Sequence, residues 1–181
     1  GVVRLGWDLR LPAWNLPASH GPLMIVGFLG TLVCLERAVA LKRLWPYGAP
    51  LLAALSSLGL LFGLPLPMSQ ILAAAAGLFL IAIFVFLCRQ QPSDFLLTMT
   101  VGAFLWFVGS VLWTAAYAFH QVVPWWVGFL VLTIAGERLE LSRLMRLSKF
   151  SRAEFLMAVG LFLFGLGVSL FVFDYGVRFS A

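Results

Sequence analysis

The chain has 181 residues, of which 62% are hydrophobic and only 10% are charged. Soluble globular proteins are close to half apolar and a quarter charged, so this composition excludes an ordinary soluble domain. It indicates an integral membrane protein whose main partner is the lipid bilayer, and the length predicts one transmembrane helical domain over residues 1–181. The net charge of +5 does not indicate nucleic-acid binding, because the basic residues lie in short segments between apolar runs.

The chain opens with a segment, residues 1–19, that is too mixed in polarity to span a bilayer. Its Trp7 and Trp14 suit a lead-in at the headgroup level, where tryptophan is enriched. A spanning helix needs about 20 mostly apolar residues, and six stretches after the lead-in meet that requirement. The fold class predicted is therefore all-α, a polytopic bundle with spans at 22–41, 49–64, 70–87, 95–119, 122–145 and 154–173.

Two histidines precede two of these spans. His20 comes just before the first span, with Met24 four residues later on the same helical face. His120 comes just before the fifth span. Histidine and methionine both ligate haem iron and copper. The histidines therefore predict either polar residues at the water interface or the joint ligands of a haem or copper cofactor.

A short motif, G-F-L-x6-E-R, occurs in both the first and the fifth span. It runs from Gly27 to Arg37 and again from Gly128 to Arg138, a displacement of 101 residues. A displacement of four spans keeps the same direction across the membrane, so we predict a parallel internal repeat of four-helix units. Six spans would be one and a half such units, and we therefore expect the chain to be part of a longer one.

The charged pair that ends each motif lies where a lone charge costs about 2.5–3.5 kcal/mol on insertion scales. Neighbouring helical residues point about 100° apart, so a glutamate and the arginine next to it are poorly placed to pair with each other. We predict cross-pairing instead, in which each glutamate pairs with the arginine of the other span. Two further residues, three apart, extend this network along the fifth span. The predicted buried charge network comprises Glu36, Arg37, Glu137, Arg138, Glu140 and Arg143.

This network allows two interpretations. The charges either clamp the bundle together and snorkel at its rim, or serve as a proton or ion path or as an anchor for an anionic group such as a haem propionate.

The basic residues outside the spans set the predicted orientation. Loops after the first, third and fifth spans carry seven of them, whereas the loops after the second and fourth spans carry none. Positive charge marks the cytoplasmic side, so we predict that the chain starts outside the cytoplasm. The seven are Lys42, Arg43, Arg89, Arg143, Arg146, Lys149 and Arg152.

Three segments resemble a group of bacterial inner-membrane proteins related to the NnrS family. They are SHGPLMIVGFLGTLVCLERAVAL at Ser19–Leu41, GWDLRLP at residues 6–12 and FLVLTIAGERLELSR at residues 129–143. The resemblance implies a multi-helix, haem- and copper-containing protein of the bacterial inner membrane, linked to respiratory or nitric oxide metabolism, whose chain start is periplasmic. The resemblance implies that His20 is a metal or haem ligand. The prediction of the same role for His120 is based on the internal repeat instead.

Three functions remain open from the sequence. The first is a haem or copper protein of NnrS-like type. The second is a structural or assembly subunit of a larger membrane complex, with other subunits as partners. The third is a transporter whose charged pairs lie near its gate. No phosphate-binding loop, nucleophile elbow or zinc-protease motif is present in the sequence, so it leaves open whether the protein is an enzyme.

Overall fold

The computed structural model of the protein describes residues 16–142, 157–165 and 167–168. This part of the chain is almost entirely helical and contains no β-strand. Residues 157–165 and 167–168 are helical as well. The other elements are α1 (Leu16–Pro22), a π-helical segment (Leu23–Gly30), α2 (Thr31–Leu41), a 3-10 turn (Trp45–Tyr47), α3 (Gly48–Phe62), α4 (Leu66–Gln90), α5 (Asp94–Thr114) and α6 (Phe119–Ser142).

Five of the helices are long and apolar enough to cross a membrane. Large apolar side chains, among them Phe28, Phe62 and Phe104, remain exposed on their outer surface, as a surface facing lipid requires. The predicted fold class, an all-α polytopic bundle, is confirmed, whereas the internal repeat stays a prediction. Of the predicted sixth span, residues 157–165 and 167–168 lie within the described part of the chain. The five candidate spans are Ser19–Leu41, here called the first span, Trp45–Phe62, Leu66–Gln90, Asp94–Thr114 and Phe119–Leu141.

The first span is one continuous helix in which a π-helical segment lies between two α-helical segments. Its π-helical segment directly follows Pro22, which has no N–H to donate and whose ring crowds the carbonyl four residues earlier. Such wide turns are rare and are usually limited to a single turn. The span ends at Leu41, because Lys42 adopts the left-handed conformation with φ 50°.

The loop between α3 and α4 reverses the chain tightly. Gly63 follows the helix with φ 78°, a conformation that glycine adopts without steric cost. The N–H of Leu64 then donates to the carbonyl of Gly59 at 2.9 Å, which satisfies a carbonyl at the helix end. Pro65 follows and cannot continue the helix.

The helix α5 ends five residues earlier than predicted. The sequence places its end at residue 119, but the helix stops at Thr114. Ala116 has φ 61°, and the N–H of Tyr117 donates to the carbonyl of Leu112 at 3.1 Å. The chain therefore turns before residue 119, and His120 lies in the first turn of α6.

Consecutive helices pack side by side in alternating directions, and the first span also contacts α6. This alternation gives the bundle two ends. The histidine end holds residues 19–22, 63–65 and 115–121, and the arginine end holds residues 37–47, 89–94 and 137–141. The core between them is filled by fully buried side chains, the largest of which are Trp106, Trp126, Phe84 and Phe129.

Glycines allow the closest helix contacts. A Cβ on Gly30 would lie 2.8 Å from Cη2 of Trp106, and one on Gly77 would lie 3.2 Å from the backbone of Phe107. Without a hydrophobic force between helices in lipid, such close packing is a main source of association. The small residues therefore set how the first span meets α5 and how α4 meets α5.

Candidate functional site

A cluster of charged side chains joins the first span to α6 at the arginine end. Nη2 of Arg37 lies 3.1 Å from Oε1 of Glu36 and 3.5 Å from Oε1 of Glu137, to which it donates a hydrogen bond. Nη1 of Arg37 lies 3.5 Å from Oε2 of Glu140. One guanidinium thus meets three carboxylates, and we call this group the Arg37 cluster.

The members of the Arg37 cluster differ in burial. The Arg37 side chain is only 9% exposed, whereas those of Glu36, Glu137 and Glu140 are 56%, 38% and 45% exposed. The fork of an arginine suits several carboxylates at once. The three carboxylates remain partly exposed at the surface of the bundle. The buried guanidinium therefore depends most on the other members to balance its charge.

The structure forms one of the two cross-pairs that the sequence predicts. Arg37 contacts Glu137, but within residues 16–142 no contact joins Glu36 to Arg138, which is exposed. Glu36 instead pairs with its neighbour Arg37. The side chains of Glu36 and Arg37 leave the helix in different directions, but the long arginine side chain bends back far enough to reach the Glu36 carboxylate. Arg143 lies outside the described residues.

The predicted histidine and methionine ligands lie at the opposite end of the bundle, on two helices that touch there. A Cβ on Gly21 would lie 3.1 Å from Cε1 of Phe119, so the turns that carry His20 and His120 are in direct contact. Both histidines are exposed, and Met24 is 45% exposed. The described residues contain no group of three or more His, Cys, Asp and Glu that could hold a metal ion.

These contacts show that the first span and α6 run parallel and adjacent. Gly21 meets Phe119 at one end and Arg37 meets Glu137 at the other, with almost the same separation along the chain. The two copies of the sequence motif therefore lie on neighbouring helices in matching register. This arrangement is the one that the predicted repeat requires.

Several polar side chains in the core were not singled out from the sequence. Nε2 of Gln70 donates to the carbonyl of Trp113 at 3.0 Å, and Oγ of Ser56 donates to the carbonyl of Ser69 at 2.7 Å. These bonds hold α4 against α5 and α3 against α4 near the histidine end.

A further polar group lies deeper. Oγ1 of Thr31, Nε1 of Trp106 and Oγ1 of Thr133 are buried and have no hydrogen-bond partner among the described residues. We call these three residues the mid-membrane polar cluster. One signal could have found two of them, because each copy of the G-F-L-x6-E-R motif contains a single threonine among its six intervening residues.

The helical bundle, its apolar surface and its two polar ends define the class of protein as a polytopic helical membrane protein. The chain belongs to the family described as Domain of unknown function (DUF8744), whose profile matches residues 1–181. No curated protein and no solved structure gives a match to the chain.

Proposed function

We propose that this protein is an NnrS-like membrane protein that binds copper at its histidine end. The observation that carries the proposal is the contact between Gly21 and Phe119, which brings the turns of His20 and His120 together. Met24 lies one turn from His20 and is also exposed. The resemblance in sequence adds an expected role in respiratory or nitric oxide metabolism. It also adds an expected place in a bacterial inner membrane, with the histidine end on the periplasmic side.

The available side chains fit copper better than haem. Two imidazoles and a thioether form a soft ligand set that suits Cu(I). A haem between the two histidines would need a flat slot, but the ring of Phe119 already packs against Gly21 there. His20, His120 and Met24 would therefore hold a copper ion, which would supply redox chemistry at the membrane surface, and no haem is proposed between them.

Copper binding can be measured on the purified full chain in lipid nanodiscs. We expect Cu(I), titrated against a chromogenic chelator without oxygen, to bind at about one ion per chain. His20→Ala and His120→Ala should each weaken binding at least about tenfold, which is a loss of about 1.4 kcal/mol. Glu36→Gln at the arginine end is the control and should bind as the wild type does.

Two results would contradict the copper proposal. The first is wild-type protein that retains no copper in the titration. The second is equal affinity in the wild type and both histidine variants. A Soret band after addition of haemin, lost in both histidine variants, would instead favour a haem site and would correct our interpretation of the Phe119 contact.

The Arg37 cluster favours a second candidate function, that of a structural subunit. Its contacts tie the first span to α6 at the arginine end, as expected of a clamp within a larger assembly. The native mass of the protein extracted in mild detergent tests this role. A stoichiometric complex with other subunits is expected, and a stable lone chain that binds copper would argue against it.

A further inference from the structure

The mid-membrane polar cluster lies at the centre of the bilayer-spanning part of the bundle. Thr31, Trp106 and Thr133 each lie within about three residues, or about 4.5 Å, of the middle of the first span, α5 and α6 respectively. Trp106 is fully buried and Thr133 is 2% exposed. Three unsatisfied polar groups at this depth are costly, because neither lipid nor an apolar core offers them a hydrogen bond.

The residues around the three groups pack against one another. The ring of Trp106 lies against Gly30, the residue before Thr31. The same ring lies 5.0 Å from that of Phe129, one turn before Thr133. Gly102, one turn before Trp106, faces the backbone N of Thr133, which would lie 3.6 Å from a Cβ there. The cluster is thus formed where the first span, α5 and α6 meet.

Threonines elsewhere in these helices behave differently. The hydroxyls of Thr98, Thr100 and Thr114 each donate to the carbonyl four residues earlier, at 2.8, 2.7 and 2.9 Å. Thr31 and Thr133 do not make this bond. Other buried polar atoms without a partner among the described residues, on Ser69, Ser93 and Trp125, lie within about two turns of a helix end. The mid-membrane polar cluster is therefore a local feature of the contact between the first span, α5 and α6.

The surroundings of this cluster differ towards the two ends. Towards the arginine end, Thr133 shares a helical face with Glu137 one turn away, and Gly30 shares a face with Arg37 two turns away. On α6, polar side chains therefore continue from Thr133 through Glu137 to the Arg37 cluster at that end. Nε of Arg37 is a further buried donor with no partner in the described part of the chain.

Towards the histidine end, aromatic rings close the core. Trp126 is fully buried and packs edge-to-face with Trp113 and with Phe119, at centroid distances of 5.4 and 5.9 Å. Nε1 of Trp126 donates to Oγ of Ser110 at 3.4 Å, so this indole is satisfied by the protein. We call these three rings the aromatic plug.

We propose that the mid-membrane polar cluster is a water-binding site at the blind end of a half-channel. The half-channel opens at the arginine end and is closed by the aromatic plug. A buried water needs two to four polar partners, and Trp106 offers a donor while the two threonine hydroxyls both donate and accept. This inference does not depend on copper binding at the other end.

Thiol accessibility tests the half-channel directly. Thr133→Cys and Thr31→Cys are made in the full chain with Cys34 and Cys88 replaced by Ala. The reagent 2-aminoethyl methanethiosulfonate is added to one side of oriented vesicles, with free cysteine trapped on the other side. The matched control is Ser110→Cys, a fully buried site beside the aromatic plug. Modification is scored as the mass increase of the intact protein.

We expect both threonine positions to react from the arginine end at least about tenfold faster than position 110, and not from the histidine end. Rates equal to that of the control, or equal from the two sides, would overturn the proposal. Either result would mean that the positions of Thr31 and Thr133 have no water-filled route to the arginine end.

A second measurement asks whether the hydroxyl of Thr133 is bonded. Thr133→Val removes only the hydroxyl, so a dry, unpartnered hydroxyl would make the variant as stable as the wild type or more stable. A hydroxyl bonded to water should instead give a melting temperature about 2–4 °C lower. Thr98→Val is the control at a similarly buried residue. A melting temperature that is unchanged or raised in Thr133→Val would contradict the water site.

Discussion

Arg37→Met is expected to destabilise the protein by about 3 kcal/mol, the largest loss we predict for a single charged residue. The substitution leaves Glu36, Glu137 and Glu140 close together with no cation between them. Removing one partner of a buried ion pair costs about 3–5 kcal/mol, and the partial exposure of the carboxylates places this case at the lower end. Unfolding of the nanodisc or micelle sample, followed by tryptophan fluorescence, measures the loss.

Arg138→Met is the matched control for that variant, because it removes the same charge from an exposed side chain next to Glu137 on α6. It should change stability by less than about 0.5 kcal/mol. Glu137→Gln added to Arg37→Met should recover part of the lost stability, since it relieves repulsion among the three carboxylates. Equal effects of the Arg37 and Arg138 variants would show that the Arg37 cluster does not hold the helices together.

The sequence predicted the fold class well because composition alone decides it. A chain with 62% hydrophobic residues and long apolar runs must satisfy its backbone within helices if it lies in lipid. The join after the predicted span 49–64 was located by Pro65, because proline cannot continue a helix there. The end of α5 was missed because the residue that adopts the left-handed conformation there is Ala116, and alanine normally favours helix.

The sequence could not tell which face of each span is buried. A helix that is apolar all round carries little signal for its core side, so Trp106 looked no different from an aromatic residue facing lipid. The same limit applied to the charges. The parallel register of the two motifs correctly suggested the contact of Arg37 with Glu137. The pairing of Glu36 depends on how the flexible arginine side chain bends, and the spacing of residues in the sequence does not encode that.

Gly77→Leu is expected to destabilise the bundle by about 2 kcal/mol through the contact between α4 and α5. A Cβ at Gly77 would lie 3.2 Å from both Cα and N of Phe107, and backbone atoms cannot swing aside as a side chain can. The remaining leucine carbons would force the two helices apart. Overpacking costs about 1–3 kcal/mol and sometimes more, against a gain of about 1 kcal/mol from replacing a helical glycine.

Gly160→Leu is the control, because no heavy atom of the described residues lies within 4 Å of a Cβ there. That variant should be neutral or slightly stabilised, since only the helix preference changes. Gly77→Ala should lie between the two, as its single methyl meets the backbone at a tight distance that a small shift can relieve. If Gly77→Leu unfolds at the same denaturant concentration as Gly160→Leu, then α4 and α5 do not approach each other at this glycine.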